Sequence, residues 1–162
     1  VSAVVTQLGL LFGVEPSQHA LTGMGDVDPQ FYIYMVPLVI LIVGPFEELL
    51  YRGVVQARLR ESFGPAVAIL LASLIFAAIH LPAHGFGQAG LASTAVSMIA
   101  LVGGSIVFGG LYEWTENLTV VALVHGLYNS ILLVMLYIVT VYGPEMQELA
   151  EASEPALAIV GL

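Results

Sequence analysis

From Phe31 to Tyr142 this chain is a series of apolar runs, and that pattern leaves few folds open. Gly–Pro and Leu–Pro pairs and short polar loops separate the runs. Most approach the ~20 residues that an α-helix needs to cross about 30 Å of hydrocarbon. Lipid offers the backbone no hydrogen-bond partners, so only helices and closed barrels can span it. A barrel would alternate polar and apolar residues along each strand, and these runs do not. Charged residues make up 9% of the chain and hydrophobic ones 59%, where soluble domains carry roughly 25% charged residues. Mean hydropathy is +0.97. The expectation is an all-α, polytopic transmembrane helical bundle, a single membrane domain over residues 1–162.

The breakers divide the runs. Val1 to Val14 reads as a short or partial helix, followed by a polar loop from Glu15 to Gln30. A long run from Phe31 to about Phe63 is expected to kink at Gly44-Pro45, because proline lacks an amide proton and clashes with the preceding turn. Gly64-Pro65 restarts the chain, with proline placed at a helix start. The next helix runs from Pro65 to His80 and stops at Leu81-Pro82. Further spans cover Leu91 to Tyr112 and Leu118 to Tyr142. Gly103-Gly104 and Gly109-Gly110 in the first of these are small enough to let neighbouring helices approach closely. After Gly143-Pro144 comes an acidic tail, residues 144–162, too polar to cross and readable as a surface helix. The chain opens on Val1 rather than Met. That fits an internal start better than a signal peptide, since no basic flank precedes the first run.

Arg52, Arg58 and Arg60 are the only cations and face twelve acids, for a formal charge of −9. So acidic a chain is a poor match for nucleic acid. Ten of the acids fall in loops or tail, which fits either a halophilic source or loops that simply happen to be acidic. With no cysteine in the chain, thiol nucleophiles are excluded. Arg58 and Arg60 mark the turn after the first long run and place it on the cytoplasmic side by the positive-inside tendency.

Against this background three polar clusters stand out. Glu47-Glu48 and Arg52 lie in VGPFEELLYRG, and the thirteen residues before Pro45 hold no charge. A charge at the centre of a bilayer costs about 2.5–3.5 kcal/mol on insertion scales. Phe76 and His80 form the second cluster, His125 and Asn129 the third. Residues four apart share a helix face, so Glu48 can pair with Arg52, and His125 lies beside Asn129. Glu47 is rotated by about 100° from Glu48 and is left free for chemistry. Depth agrees. Glu47 lies about 16 Å from Arg58, His80 about 22 Å from Pro65, and His125 about 10 Å from the start of its span. All three clusters can therefore meet in one intramembrane polar cavity. A glutamate can take a proton from water, and asparagine and histidine can donate to an oxyanion. Taken singly, each cluster also has a bland explanation. His80 can cap a helix, His125 and Asn129 can bond neighbouring helices, Phe76 can pack, and Glu48–Arg52 can be a structural ion pair. His19 and His84 lie in loops without visible partners.

The ordered set EExxxR, FxxxH and HxxxN, with FEELLYRG around the first, resembles the family of CAAX proteases and bacteriocin-processing enzymes (CPBP, also called Abi). The motifs span Glu47 to Asn129, about half the chain, and their core occupies residues 44–130. The resemblance implies an intramembrane endopeptidase similar to the Ras-converting CAAX endopeptidase, multi-pass, in the cell membrane. The acidity points to an archaeal homologue. The implied substrate is a membrane-anchored peptide or protein, prenylated CAAX-type C-termini being the example. Carried over to this chain, Glu47 is the base that activates water, His80 assists at that water, and His125 with Asn129 stabilises the oxyanion. Glu48, Arg52 and Phe76 are supporting motif residues. No metal or other cofactor is favoured; the alternative is zinc on Glu47, His80 and His125. The family's larger helix count implies further helices before Val1.

Two other functions fit parts of the pattern. A non-enzymatic membrane scaffold or bacteriocin-immunity protein would use the same fold to bind a partner. A proton-coupled transporter would use buried acids and histidines as a relay, but no inverted repeat is visible.

Overall fold

The computed structural model describes residues 27–84 and 90–160. Among them every regular element is helical. Four helices are long and apolar enough to cross a membrane, over Gln30–Arg60, Pro65–Ala83, Leu91–Thr115 and Leu118–Met146. We name them α1 (Gln30–Arg60), α2 (Pro65–His80), α3 (Leu91–Thr115) and α4 (Leu118–Val160). The expected helix at Val1 to Val14 and most of the loop after it lie outside the described residues.

Helix boundaries follow local chemistry. Pro65 sits at the first position of α2, preceded by Gly64 in extended conformation, where its missing N–H removes no intrahelical bond. Leu81–His84 continues α2 as one 3₁₀ turn. A tight reversal joins α3 to α4. Glu116 takes a left-handed conformation at φ 49° and closes α3 onto the Tyr112 carbonyl. The Asn117 side chain then accepts from the amides of Thr119 and Val120, capping α4.

Neither of two proline sites ends its helix. At Gly44-Pro45, where a kink is expected, α1 stays helical and widens to π-helical turns over Val39–Val43, immediately upstream, and again over Leu49–Gln56. A wider turn accommodates the amide that Pro45 lacks without ending the helix. It also affects the face that α1 presents. Residues four apart in an α-helix drift by about 40°, and widening opposes that drift, so Glu48, Arg52 and Gln56 all stay buried. The second site is Gly143-Pro144, where a break was expected. There α4 runs on without interruption to Val160. A proline forfeits one backbone bond, and the rest of a long helix can hold across it.

Packing is polar inside and apolar outside. Leu41, Phe46, Ile79 and Leu127 face outward, whereas Glu48, Arg52, Gln56, Ser73, Ser105 and His125 are buried. Small residues set the closest approaches. A Cβ on Gly126 would lie 2.8 Å from the Ile40 Cα, and one on Gly44 would lie 3.0–3.1 Å from backbone atoms of Val39, Ala122 and Gly126. α1 and α4 therefore cross backbone to backbone at this pair. Gly109 of α3 likewise faces Gln56 and Ile69, but Gly104 and Gly110 face open space. Of the α3 glycines expected at helix contacts, Gly109 makes one. Arg60 of α1 meets Glu113 of α3 (Nε to Oε1, 3.1 Å). The α1–α2 and α3–α4 turns thus lie at the same end of the bundle.

Candidate active site

The adjacent carboxylates of α1 end in opposite surroundings. Glu48 points into the bundle and is fully buried, while Glu47 lies toward the rim, 22% exposed. Sequence spacing pairs Glu48 with Arg52, and the structure contains that pair. Nη1 donates to Glu48 Oε1 at 3.2 Å, and Nε lies 3.1 Å from Oε2. A further partner comes from α4, where His125 Nδ1 lies 2.6 Å from Glu48 Oε1. The Gly44–Gly126 crossing makes this bond reachable, because it brings the two backbones together one residue from His125.

Arg52 is itself held from three directions. Its Nη2 donates to the Ser105 carbonyl at 2.8 Å and to Ser105 Oγ at 3.1 Å, both on α3. Its guanidinium carbon lies between two rings, 5.9 Å from the Phe76 centroid and 5.8 Å from that of Phe108. A buried cation with a bidentate acid, extra acceptors and aromatic faces has replacements for the water it gave up.

Glu47 faces two imidazoles. Its Oε1 is 3.7 Å from His80 Nε2, and its Oε2 is 3.6 Å from His125 Nε2. Both separations exceed a direct hydrogen bond. Each ring is anchored through its other nitrogen, His80 Nδ1 on the Phe76 carbonyl at 2.8 Å and His125 Nδ1 on Glu48. A carbonyl and an arginine-paired carboxylate can only accept, so both rings carry a proton on Nδ1 and turn Nε2 toward Glu47. Two anchored imidazoles therefore flank one partly open carboxylate.

Phe76 does more than fill space. Its ring packs on His80 at 4.2 Å and meets Tyr51 edge-on at 4.8 Å. Asn129 lies one turn beyond His125 on α4, half-buried, and hydrogen-bonds to none of the described residues. The structure thus brings Glu47, His80 and His125 together and leaves Asn129 beside them without a bond. His84 ends the 3₁₀ turn after α2, and His19 lies outside the described residues. Among the described residues, no group of three or more histidine, aspartate or glutamate side chains is arranged to hold a metal ion.

α3 supplies what the sequence reading missed. Ser105 binds Arg52, and Phe108 stacks on His125 with centroids 4.6 Å apart and planes 25° apart. Below them Gln56 Nε2 donates to the Gly109 carbonyl at 3.2 Å and to Glu113 Oε1 at 3.1 Å. The four-residue spacing Glu48, Arg52, Gln56 was the available sign of a continuous polar stripe. Nothing comparable marks Ser105 or Phe108 in an apolar helix.

A family model matches residues 29–131, from the start of α1 to just past Asn129; its description is type II CAAX prenyl endopeptidase Rce1-like. No curated protein matches the chain, and no solved structure does.

Proposed function

Because the chain belongs to the Rce1-like family of type II CAAX prenyl endopeptidases, we propose that it is an intramembrane endopeptidase in which Glu47 activates the hydrolytic water. The observation that carries this assignment is the asymmetry of the two acids. Arg52 and His125 occupy Glu48, while Glu47 has two imidazole edges before it and is partly open. Two carboxylates in unlike environments divide into a structural and a reactive group.

The reaction follows from these positions. A water before Glu47 gives a proton to the carboxylate as its oxygen attacks the scissile carbonyl carbon. His80, fixed by the Phe76 carbonyl, turns Nε2 toward that water and orients it. The carbonyl oxygen takes up the negative charge. Donors for it are the Asn129 amide and His125 Nε2 when that ring carries its second proton. The tetrahedral intermediate collapses as the C–N bond breaks, and the proton held by Glu47 passes to the leaving amine. The substrate is a membrane-anchored peptide or protein, prenylated CAAX-type C-termini being the class the family name indicates. Four apolar spans make the protein multi-pass. The membrane is the cell membrane in this reading, and the positive-inside tendency of Arg58 and Arg60 supports a cytoplasmic side for the α1–α2 and α3–α4 turns.

The test is cleavage of a prenylated CAAX peptide in proteoliposomes by wild type and Glu47→Gln. Removing a general base lowers kcat by about 10²–10⁴-fold. Equal turnover by the two proteins would remove Glu47 from that role.

A further inference from the structure

α3 carries none of the three motifs, yet it touches both groups that fix the site. We infer that Phe108 and Ser105 are positioning residues that hold the His125 ring in its working orientation.

Both nitrogens and one face of that ring have a neighbour. Nδ1 is bound to Glu48 at 2.6 Å, and Nε2 faces Glu47 at 3.6 Å. One face is covered by Phe108 at 4.6 Å, and the Phe76 ring stands at 6.4 Å with planes 65° apart. Hydrogen bonding at Nδ1 alone leaves an imidazole free to roll about that bond, and rolling would swing Nε2 away from Glu47. The near-parallel face of Phe108 opposes that motion. Of the two phenylalanine rings beside it, only Phe108 lies near parallel.

Ser105 acts one step further back. It lies three residues before Phe108, on the same face of α3. Its carbonyl and hydroxyl fix Arg52 Nη2, and Arg52 in turn donates from Nη1 to Glu48 Oε1 and pairs with its charge. The oxygen that anchors His125 is therefore positioned from α3 through Arg52. Phe108 joins the two routes, because its ring faces the Arg52 guanidinium at 5.8 Å as well as the imidazole. One stretch of α3 sets both the acceptor and the plane of the histidine.

The inference rests on the proposed peptidase function, so its test has one readout that needs turnover and one that does not. Phe108→Leu removes the ring face and keeps an apolar side chain; Phe108→Tyr keeps the face. With the prenylated peptide, Phe108→Leu is expected to lower kcat by about 10- to 100-fold, the scale of a small misplacement of reacting groups, at unchanged KM. Phe108→Tyr should restore kcat. Ser105→Ala leaves the carbonyl in place and removes one hydrogen bond, so a kcat loss of about 2- to 10-fold is expected. Thermal unfolding in detergent accompanies each variant, and Ser105→Ala carries the test if Phe108→Leu does not fold. The second readout is ¹⁵N NMR of histidine-labelled protein, tractable with four histidines in the chain. His125 should give one Nδ1-protonated species in wild type and Phe108→Tyr, and averaged ring signals in Phe108→Leu. Wild-type kcat with unaltered His125 signals in Phe108→Leu and Ser105→Ala would overturn the inference. So would equal losses in Phe108→Leu and Phe108→Tyr. If wild type cleaves no CAAX peptide, the peptidase function fails, and the His125 signals still decide the role of α3.

Discussion

Glu48→Gln tests how much of the bundle depends on one buried carboxylate. In the native protein Arg52 Nη1 and His125 Nδ1 both bond to its Oε1, and Arg52 Nε lies 3.1 Å from Oε2 in the ion pair. A carboxamide has the same shape but one accepting oxygen and one donating nitrogen. If its oxygen takes the Oε1 position, Arg52 Nε–H meets an N–H, and the guanidinium loses its counter-charge at 1% exposure. Breaking a buried pair by removing one partner costs about 3–5 kcal/mol. At about 2–4 °C per kcal/mol for a chain of this size, Tm should fall by roughly 6–20 °C. Thermal unfolding in detergent, followed by circular dichroism or tryptophan fluorescence, reads the shift. The double variant Glu48→Gln with Arg52→Met removes the stranded cation and leaves the Gln oxygen for His125. It should be more stable than Glu48→Gln alone, because replacing both members of a buried pair is often close to neutral. A Glu48→Gln protein as stable as wild type, or losses that simply add in the double variant, would show that the pair does not hold the bundle.

Other outcomes follow from single positions. Gly126→Ala would force a Cβ to within 2.8 Å of the Ile40 backbone and should cost about 1–3 kcal/mol in thermal unfolding. Gly104→Ala meets open space and should instead gain up to about 1 kcal/mol from helix propensity. Glu116→Gly relieves a non-glycine residue at φ 49° and should raise stability by about 1 kcal/mol. Cleavage is expected to survive chelation. Activity lost to a chelator and restored by zinc would instead make Glu47, His80 and His125 ligands.

The membrane spans were legible because runs of about 20 apolar residues, almost free of charge, admit little else. That Glu47, His80 and His125 can meet was legible in outline, since rise per residue puts all three at intermediate depth; the 3.6–3.7 Å approach itself depends on the packing. The second partner of Glu48 was not. Its bond to His125 depends on how closely α1 and α4 cross, and that is set by Gly44 and Gly126, two of seventeen glycines. Ser105 and Phe108 escaped for a related reason. A serine and a phenylalanine are ordinary in an apolar helix, and only the three-dimensional neighbours of Arg52 and His125 single them out. The continuity of α4 through Gly143-Pro144 shows the opposite failure, a strong local signal outweighed by the length of helix on either side.

Gly126 is also a fulcrum. α4 touches α1 most closely there, and His125 is the next residue along. A 5° tilt of α4 about this point moves Tyr142, sixteen residues away, by about 2 Å, and the His125 backbone by only about 0.1 Å. The histidine keeps its place beside Glu48, because it is mounted where the lever hardly moves.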